Sequence, residues 1–210
     1  MNPLFEQDLE ARAEDGGLVR GVAVALVTDN QDPQELGRVR VAFPWRPQEE
    51  SHWARIAVTM AGDRRGTWFL PEVGDEVLVA FDRGDLAHPY VIGALWNGQD
   101  APPASNEGQN RLRTIKTKIG HEITFDDGGD RSVLVKTVDG RQVLLDQQGI
   151  VLDDGAGNSV KLDANGGAIE VQAALSIKLS APTIEIDASA SLTLQTSGNA
   201  TLKGSMVMIN

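Results

Sequence analysis

The chain has 210 residues, a formal net charge of −11 and no cysteine. The missing thiols exclude disulfides, zinc–thiolate centres and cysteine nucleophiles together, and the acidic balance argues against a surface that tracks nucleic-acid phosphates. All four tryptophans (Trp45, Trp53, Trp68, Trp96), Tyr90 and four of the five phenylalanines precede residue 100, leaving only Phe125 beyond it, so the two halves must build their interiors differently.

Residues 1–17, MNPLFEQDLEARAEDGG, are set apart as an N-terminal segment; they show neither the basic start nor the apolar run of an export signal. No later apolar run approaches the roughly 20 residues of a membrane span. The expectation is a chain made in the cytoplasm and not exported by a signal of its own.

Residues 18–97 hold five strand-like stretches, at 18–29, 36–45, 52–60, 75–82 and 88–96, parted by turn clusters such as DNQDP, RPQEES, AGDRRG and DRGD. Five short strands in so few residues predict a closed five-stranded barrel of the oligonucleotide/oligosaccharide-binding (OB) kind. Residues 98–110, rich in Pro, Gly and Asn, read as a linker.

Residues 111–210 repeat. GHEITFD (120–126), GRQVLLD (140–146) and GNSVKLD (157–163) share Gly-x-x-apolar-x-apolar-Asp, and Lys116-Thr117 and Lys136-Thr137 precede the first two. Each unit supplies a turn glycine, an alternating strand and an aspartate able to hydrogen-bond the next turn. From Ser176 the repeat shortens to about eight residues, with apolar pairs Ile177/Leu179, Ile184/Ile186, Leu192/Leu194, Ala200/Leu202 and Val207/Ile209. Strands this short cannot bury an apolar face alone. A single-chain β-helix with three faces per coil would complete fewer than two coils here, whereas three chains each supplying one face add a complete layer at every step. The spacing therefore predicts an intertwined trimeric β-helix, a triangular β-prism whose core is built from those ten residues. A monomeric solenoid is the competing arrangement.

The runs GRVRVAFPW, SHWARIAVTMAG, RGTWFLPEVGDEVLVAF and GDLAHPYVIGALWNG, followed by GHEITFDD, resemble the barrel and needle base shared by phage baseplate assembly protein V and the VgrG spikes of type VI secretion. The resemblance implies an all-β fold and a mechanical role: a trimeric needle at the centre of a contractile tail, driven through a target envelope, in transient contact with its membrane. It also implies residence in a phage tail or injection particle after synthesis in a bacterial cytoplasm. VgrG spikes carry a hub-like region before the barrel and this chain has 17 residues there, so a separate hub protein is expected. No His-x-His tip is found near the end. A separate PAAR-type tip protein is therefore expected on Met206, Val207, Met208, Ile209 and Asn210.

Catalytic, cofactor and metal sites are not expected. His52, His88 and His121 have no ligand spacing, and the pairs Asp126/Asp127 and Asp153/Asp154 precede Gly-rich sequence, as tight turns require, although adjacent carboxylates could serve a glycosidase or calcium. The remaining alternative is a nucleic-acid- or carbohydrate-binding OB module on a β-helical oligomerisation stalk. The barrel stretch has 8 Arg, no Lys and 11 Asp or Glu, which offers no basic groove for nucleic acid.

Overall fold

A computed structural model describes residues 18–46, 48–129 and 131–209; residues 1–17 and Asn210, to which the sequence assigned an N-terminal segment and part of the tip contact, lie outside the described residues. The chain divides into two compact units between Glu107 and Gly108, within the stretch expected as a linker.

The first unit is the barrel. Its strands are β1 (Val22–Asp29), β2 (Arg40–Ala42), β3 (Arg55–Ile56), β4 (Ala61–Gly62), β5 (Arg65–Gly66), β6 (Glu76–Phe81) and β7 (Pro89–Ala94). Five of them order as β2-β1-β6-β7-β3. The ring closes where Val39, just before β2, exchanges two backbone hydrogen bonds with Ala54, just before β3, at 3.0 and 2.7 Å. The β3–β7 pair is the parallel one and its neighbours are antiparallel. Closure leaves no long free strand edge.

Period-two alternation decides what fills this barrel. Ala23, Ala25 and Val27 of β1, Val41 of β2, Val77, Val79 and Phe81 of β6 and Val91 of β7 all point inward and are buried. Phe43 bridges the interior, with its ring 5.5 Å from Phe81 and 4.9 Å from Trp45. Fully buried alanines at 25 and 54 suit a barrel too narrow for a large side chain at every inward position.

The AGDRRG cluster, which the sequence suggested as a plain turn, is itself the hairpin β4–β5. The β1–β2 connection is pinned by Asp32, whose carboxylate takes two hydrogen bonds from the Arg38 guanidinium at 2.8 and 2.7 Å and others from the Gln34 and Leu36 amides. Those donors, Arg38 foremost, hold the Asp32 carboxyl well below the usual carboxylate range.

The second unit is one antiparallel meander of seven strands in chain order: β8 (Leu112–Lys116), β9 (Glu122–Asp126), β10 (Ser132–Lys136), β11 (Gln142–Asp146), β12 (Gly149–Asp153), β13 (Ser159–Asp163) and β14 (Ala168–Gln172). Every strand has five residues. Among the described residues, 173–209 join no strand ladder within the chain.

Candidate functional site

The repeat seen in the sequence marks alternate strands of this meander, β9, β11 and β13, so each long unit is a hairpin rather than one strand. Strands β8, β10, β12 and β14 fall outside that repeat, because β8, β10 and β14 do not end in aspartate and β12, GIVLD, lacks the two residues that separate the glycine from the first apolar position in the others. Gly120, Gly140 and Gly157 all have φ between 92° and 99°, a left-handed conformation that costs glycine little. Thr117 and Thr137, the repeated threonines, open the turns at one end of the sheet. Their amides donate to the carbonyls of His121 and Arg141. Asp154 takes the equivalent place in the third turn, where its amide donates to the Asn158 carbonyl.

The aspartates close the turns, as the sequence suggested. The Asp126 carboxylate accepts from the Gly128 amide, Asp146 from those of Gln148 and Gly149, Asp153 from that of Gly155, and Asp163 from those of Asn165 and Gly166. The Gly166 and Asn165 amides lower the Asp163 pKa; the Asn158 side chain, then the Asn158 and Ala156 amides, lower that of Asp154. Both carboxylates are thus fixed as anions by turn geometry. A carboxylate held this way is a poor proton donor and is engaged by its own backbone.

His52 and His88 both lie close enough to Asp85 to favour its carboxylate, and His121 belongs to the second unit. His88 Nδ1 lies 3.0 Å from an Asp85 oxygen, and the Val138 amide donates to Nδ1 of His121. Among the described residues there is no group of three His, Asp or Glu side chains that could hold a metal ion. Arg38 pairs with Asp32, Arg40 with Glu50 at 3.1 Å, and Arg55 lies 5.8 Å from the Tyr90 ring centroid.

What the meander does present is a face. In a five-residue strand, positions two and four point to one side of the sheet and one, three and five to the other. The cross-strand register aligns Arg113, Phe125, Val133, Leu145, Ile150, Leu162 and Ile169 in one row, and Ile115, Ile123, Val135, Val143, Leu152, Val160 and Val171 in the next. One side of the whole sheet is therefore apolar, broken only by Arg113 at its edge, which bonds to Asp127 at 2.9 Å. The opposite side carries Thr114 and Thr124, whose hydroxyls are 2.7 Å apart, with charged and amide side chains along the outer rows and Leu134, Leu144 and Val151 at its centre.

Among the described residues of this unit, none covers this face. No described residue after Val91 is buried, and Phe125, Leu145, Ile169 and Val171 are 47, 40, 73 and 57% exposed. An exposed apolar surface that runs the length of a sheet marks an interaction site.

The closing stretch continues the same pattern. Each expected core pair sits at positions two and four of a five-residue unit: SIKLS (176–180), TIEID (183–187), SLTLQ (191–195), NATLK (199–203) and MVMIN (206–210). Ile177, Leu179, Ile184, Ile186, Leu192, Leu194, Leu202, Val207 and Ile209 are all more than half exposed, and Ala200 is exposed too. Met206 and Met208, expected at the tip, are 77 and 82% exposed. The sequence reading placed the interface only here; the signal for the earlier part was the same two-and-four pattern, hidden where a third apolar residue fills position three, as in SVLVK, QVLLD and GIVLD.

Comparison with known proteins follows this division. Residues 23–96 match the family described as the type VI secretion system/phage-baseplate injector OB domain, and residues 113–170 match the phage baseplate V C-terminal trimerisation domain. Among curated relatives, the type VI secretion system spike protein VgrG1b of Pseudomonas aeruginosa is 28% identical over 122 residues, 52% of this chain and 16% of the relative. VgrG2a of the same organism, also a type VI secretion system spike protein, is 37% identical over 104 residues, 44% of this chain and 12% of the relative. The spike protein VgrG3 of Vibrio cholerae is 28% identical over 132 residues, 56% of this chain and 13% of the relative. The chain thus spans well under a fifth of the length of these relatives.

Proposed function

We propose, from the premise that this chain belongs to the phage-baseplate V family that shares its injector OB domain with the VgrG spikes, that it is the structural central spike of a contractile injection machine, acting as a homotrimer. One observation carries the reading: an entire seven-stranded sheet with an apolar face and not one buried residue. Three such sheets, face inward, make a triangular prism. The five-residue strand sets each side of it at about 16 Å, and seven strands extend it about 29 Å along the axis. Only two side chains per strand then reach the core, which is why the pattern is apolar at positions two and four and tolerant elsewhere.

Beyond Gln172 every connection has two or three residues, whereas four of the six connections higher up have five, and the described residues there join no ladder within the chain. The same five-residue units then pair between chains and wind as a trimeric β-helix, with the ten residues named above as its core. The transition suits a tapering needle. Force passes along a column of interchain hydrogen bonds and layered Ile, Leu and Val, and this work needs rigidity rather than a reactive group.

The remaining parts of the reading concern partners and place. A separate hub protein joins the spike to the baseplate, a PAAR-type tip protein seats on the apolar end at Met206 to Asn210, and the tip crosses the target membrane on injection. The particle is a phage tail, a tailocin or a related secretion apparatus.

Light scattering coupled to gel filtration tests the core claim. The expected mass is three times the 22.5 kDa of one chain, and a 22.5 kDa particle in native buffer overturns the trimer. Deleting residues 206–210 is expected to abolish co-purification of a co-expressed PAAR-type protein, whereas undiminished binding refutes the tip assignment.

A further inference from the structure

The barrel carries an apolar groove that its own core does not need. It lies between the β1–β2 connection and the β4–β5 hairpin and has a volume of about 690 Å³. Leu36, Met60, Trp68 and Phe69 line it and are 65, 53, 72 and 66% exposed. The Trp68 indole rests over Gly37, where an added Cβ would come within 2.8 Å of the ring. An indole held over backbone yet mostly exposed is arranged to receive something.

The charge at the groove narrows what that is. Arg55, Arg64 and Arg65 line it against a single carboxylate, Glu35. Arg64 and Arg65 have no ion-pair partner among the described residues, and Arg64 is held at φ 51°, a conformation arginine adopts at a cost. A basic, apolar groove on a chain of net charge −11 favours an acidic segment that also carries bulky apolar residues.

We propose that this groove holds residues 1–17 of the chain itself. Their sequence, MNPLFEQDLEARAEDGG, places Leu4, Phe5 and Leu9 among Glu6, Asp8, Glu10, Glu14 and Asp15, with Arg12 the one basic residue. Length permits it. The described chain starts beside Gly84, whose carbonyl accepts from the Val19 amide at 2.9 Å, at the opposite end of β1 from the groove. The eight residues of β1 span about 26 Å, and 17 extended residues reach about 56 Å. Tethering also raises the local concentration of the segment, so modest contacts suffice.

The test uses the full-length protein labelled with 5-fluorotryptophan, whose four fluorine resonances are assigned by single Trp→Phe variants. Deleting residues 1–17 is expected to shift the Trp68 resonance while the Trp45 resonance and the particle mass stay fixed. A synthetic peptide of residues 1–17 is expected to restore it, less well in high salt and less well on Arg64→Ser/Arg65→Ser protein, two exposed positions whose change leaves the barrel folded. A Trp68 resonance that ignores the deletion, or that moves only when the particle mass also changes, overturns the proposal and points to a foreign partner or a second copy in the groove. Neither result bears on the spike reading, which rests on the other unit.

Discussion

The barrel and the meander are both antiparallel-rich sheets of short strands, yet every buried apolar residue of the described chain belongs to the first. The barrel curls until its inward side chains meet one another, so Val39, Val41, Val77 and Val79 reach zero exposure in a single chain. The meander has as many inward apolar positions but is an open ladder in chain order, whose end strands β8 and β14 do not pair, so its apolar rows stay unburied. A closed sheet solves its burial problem within the chain; an open ribbon hands the problem to other copies.

This difference is most sharply broken at the centre of the ribbon. Val143→Glu with Leu145→Glu puts two carboxylates in the inner rows, where no partner exists to offset their desolvation. The expected outcome is loss of the trimer, read as a fall in particle mass to 22.5 kDa, with the barrel's thermal transition still present. An unchanged mass shows that this face is not the interface. The complementary change, Phe43→Ala, empties the middle of the barrel and is expected to cost about 3–5 kcal/mol in that unit alone. Calorimetry should show the barrel transition falling while light scattering still reports the trimer.

Gly149→Ala makes a backbone version of the first test. The residue has φ 143°, and an added Cβ would lie 1.8 Å from the Leu162 carbonyl oxygen, so β12 and β13 must part to admit it. The loss is expected to exceed the ~1 kcal/mol scale of ordinary glycine substitutions and to lower only the melting temperature of the second unit.

Acid should affect the two regions more gently. The folded pKa values of Asp154 and Asp163 in the turns, and of Asp32 in the barrel, lie below the ordinary value, so each stabilises its unit above about pH 4 and loses that contribution as pH falls through the folded pKa. Melting temperatures measured from pH 7 to pH 3 are expected to stay level and then fall, with Asp163→Asn flattening part of the drop in the second unit only. A melting curve of the second unit that falls already between pH 7 and pH 5 would assign the effect to other groups.

Much of this was legible in the residues. The five barrel strands fell within their expected stretches because alternating valines and alanines bounded by Gly, Pro and Asp clusters leave few alternatives. The turn role of Asp126, Asp146 and Asp163 was legible too, since an aspartate at a strand end before glycine has little else to bond. Strands β10 and β12 were not, because three successive apolar residues do not say which side is inward. Their face was decided by register against β9, β11 and β13, a relation between residues of neighbouring strands rather than within one strand.

The sequence by itself determined the periodicities: period two in the barrel, two-and-four in five-residue units afterwards, and a shortening repeat with small residues at the corners. Those are local consequences of strand geometry and turn chemistry. Only the tertiary structure decided that the meander's inward rows join into one apolar face, broken only at the Arg113 edge, and that its residues stay unburied among those described. That outcome depends on ladder register and sheet curvature, both set by contacts across the sheet.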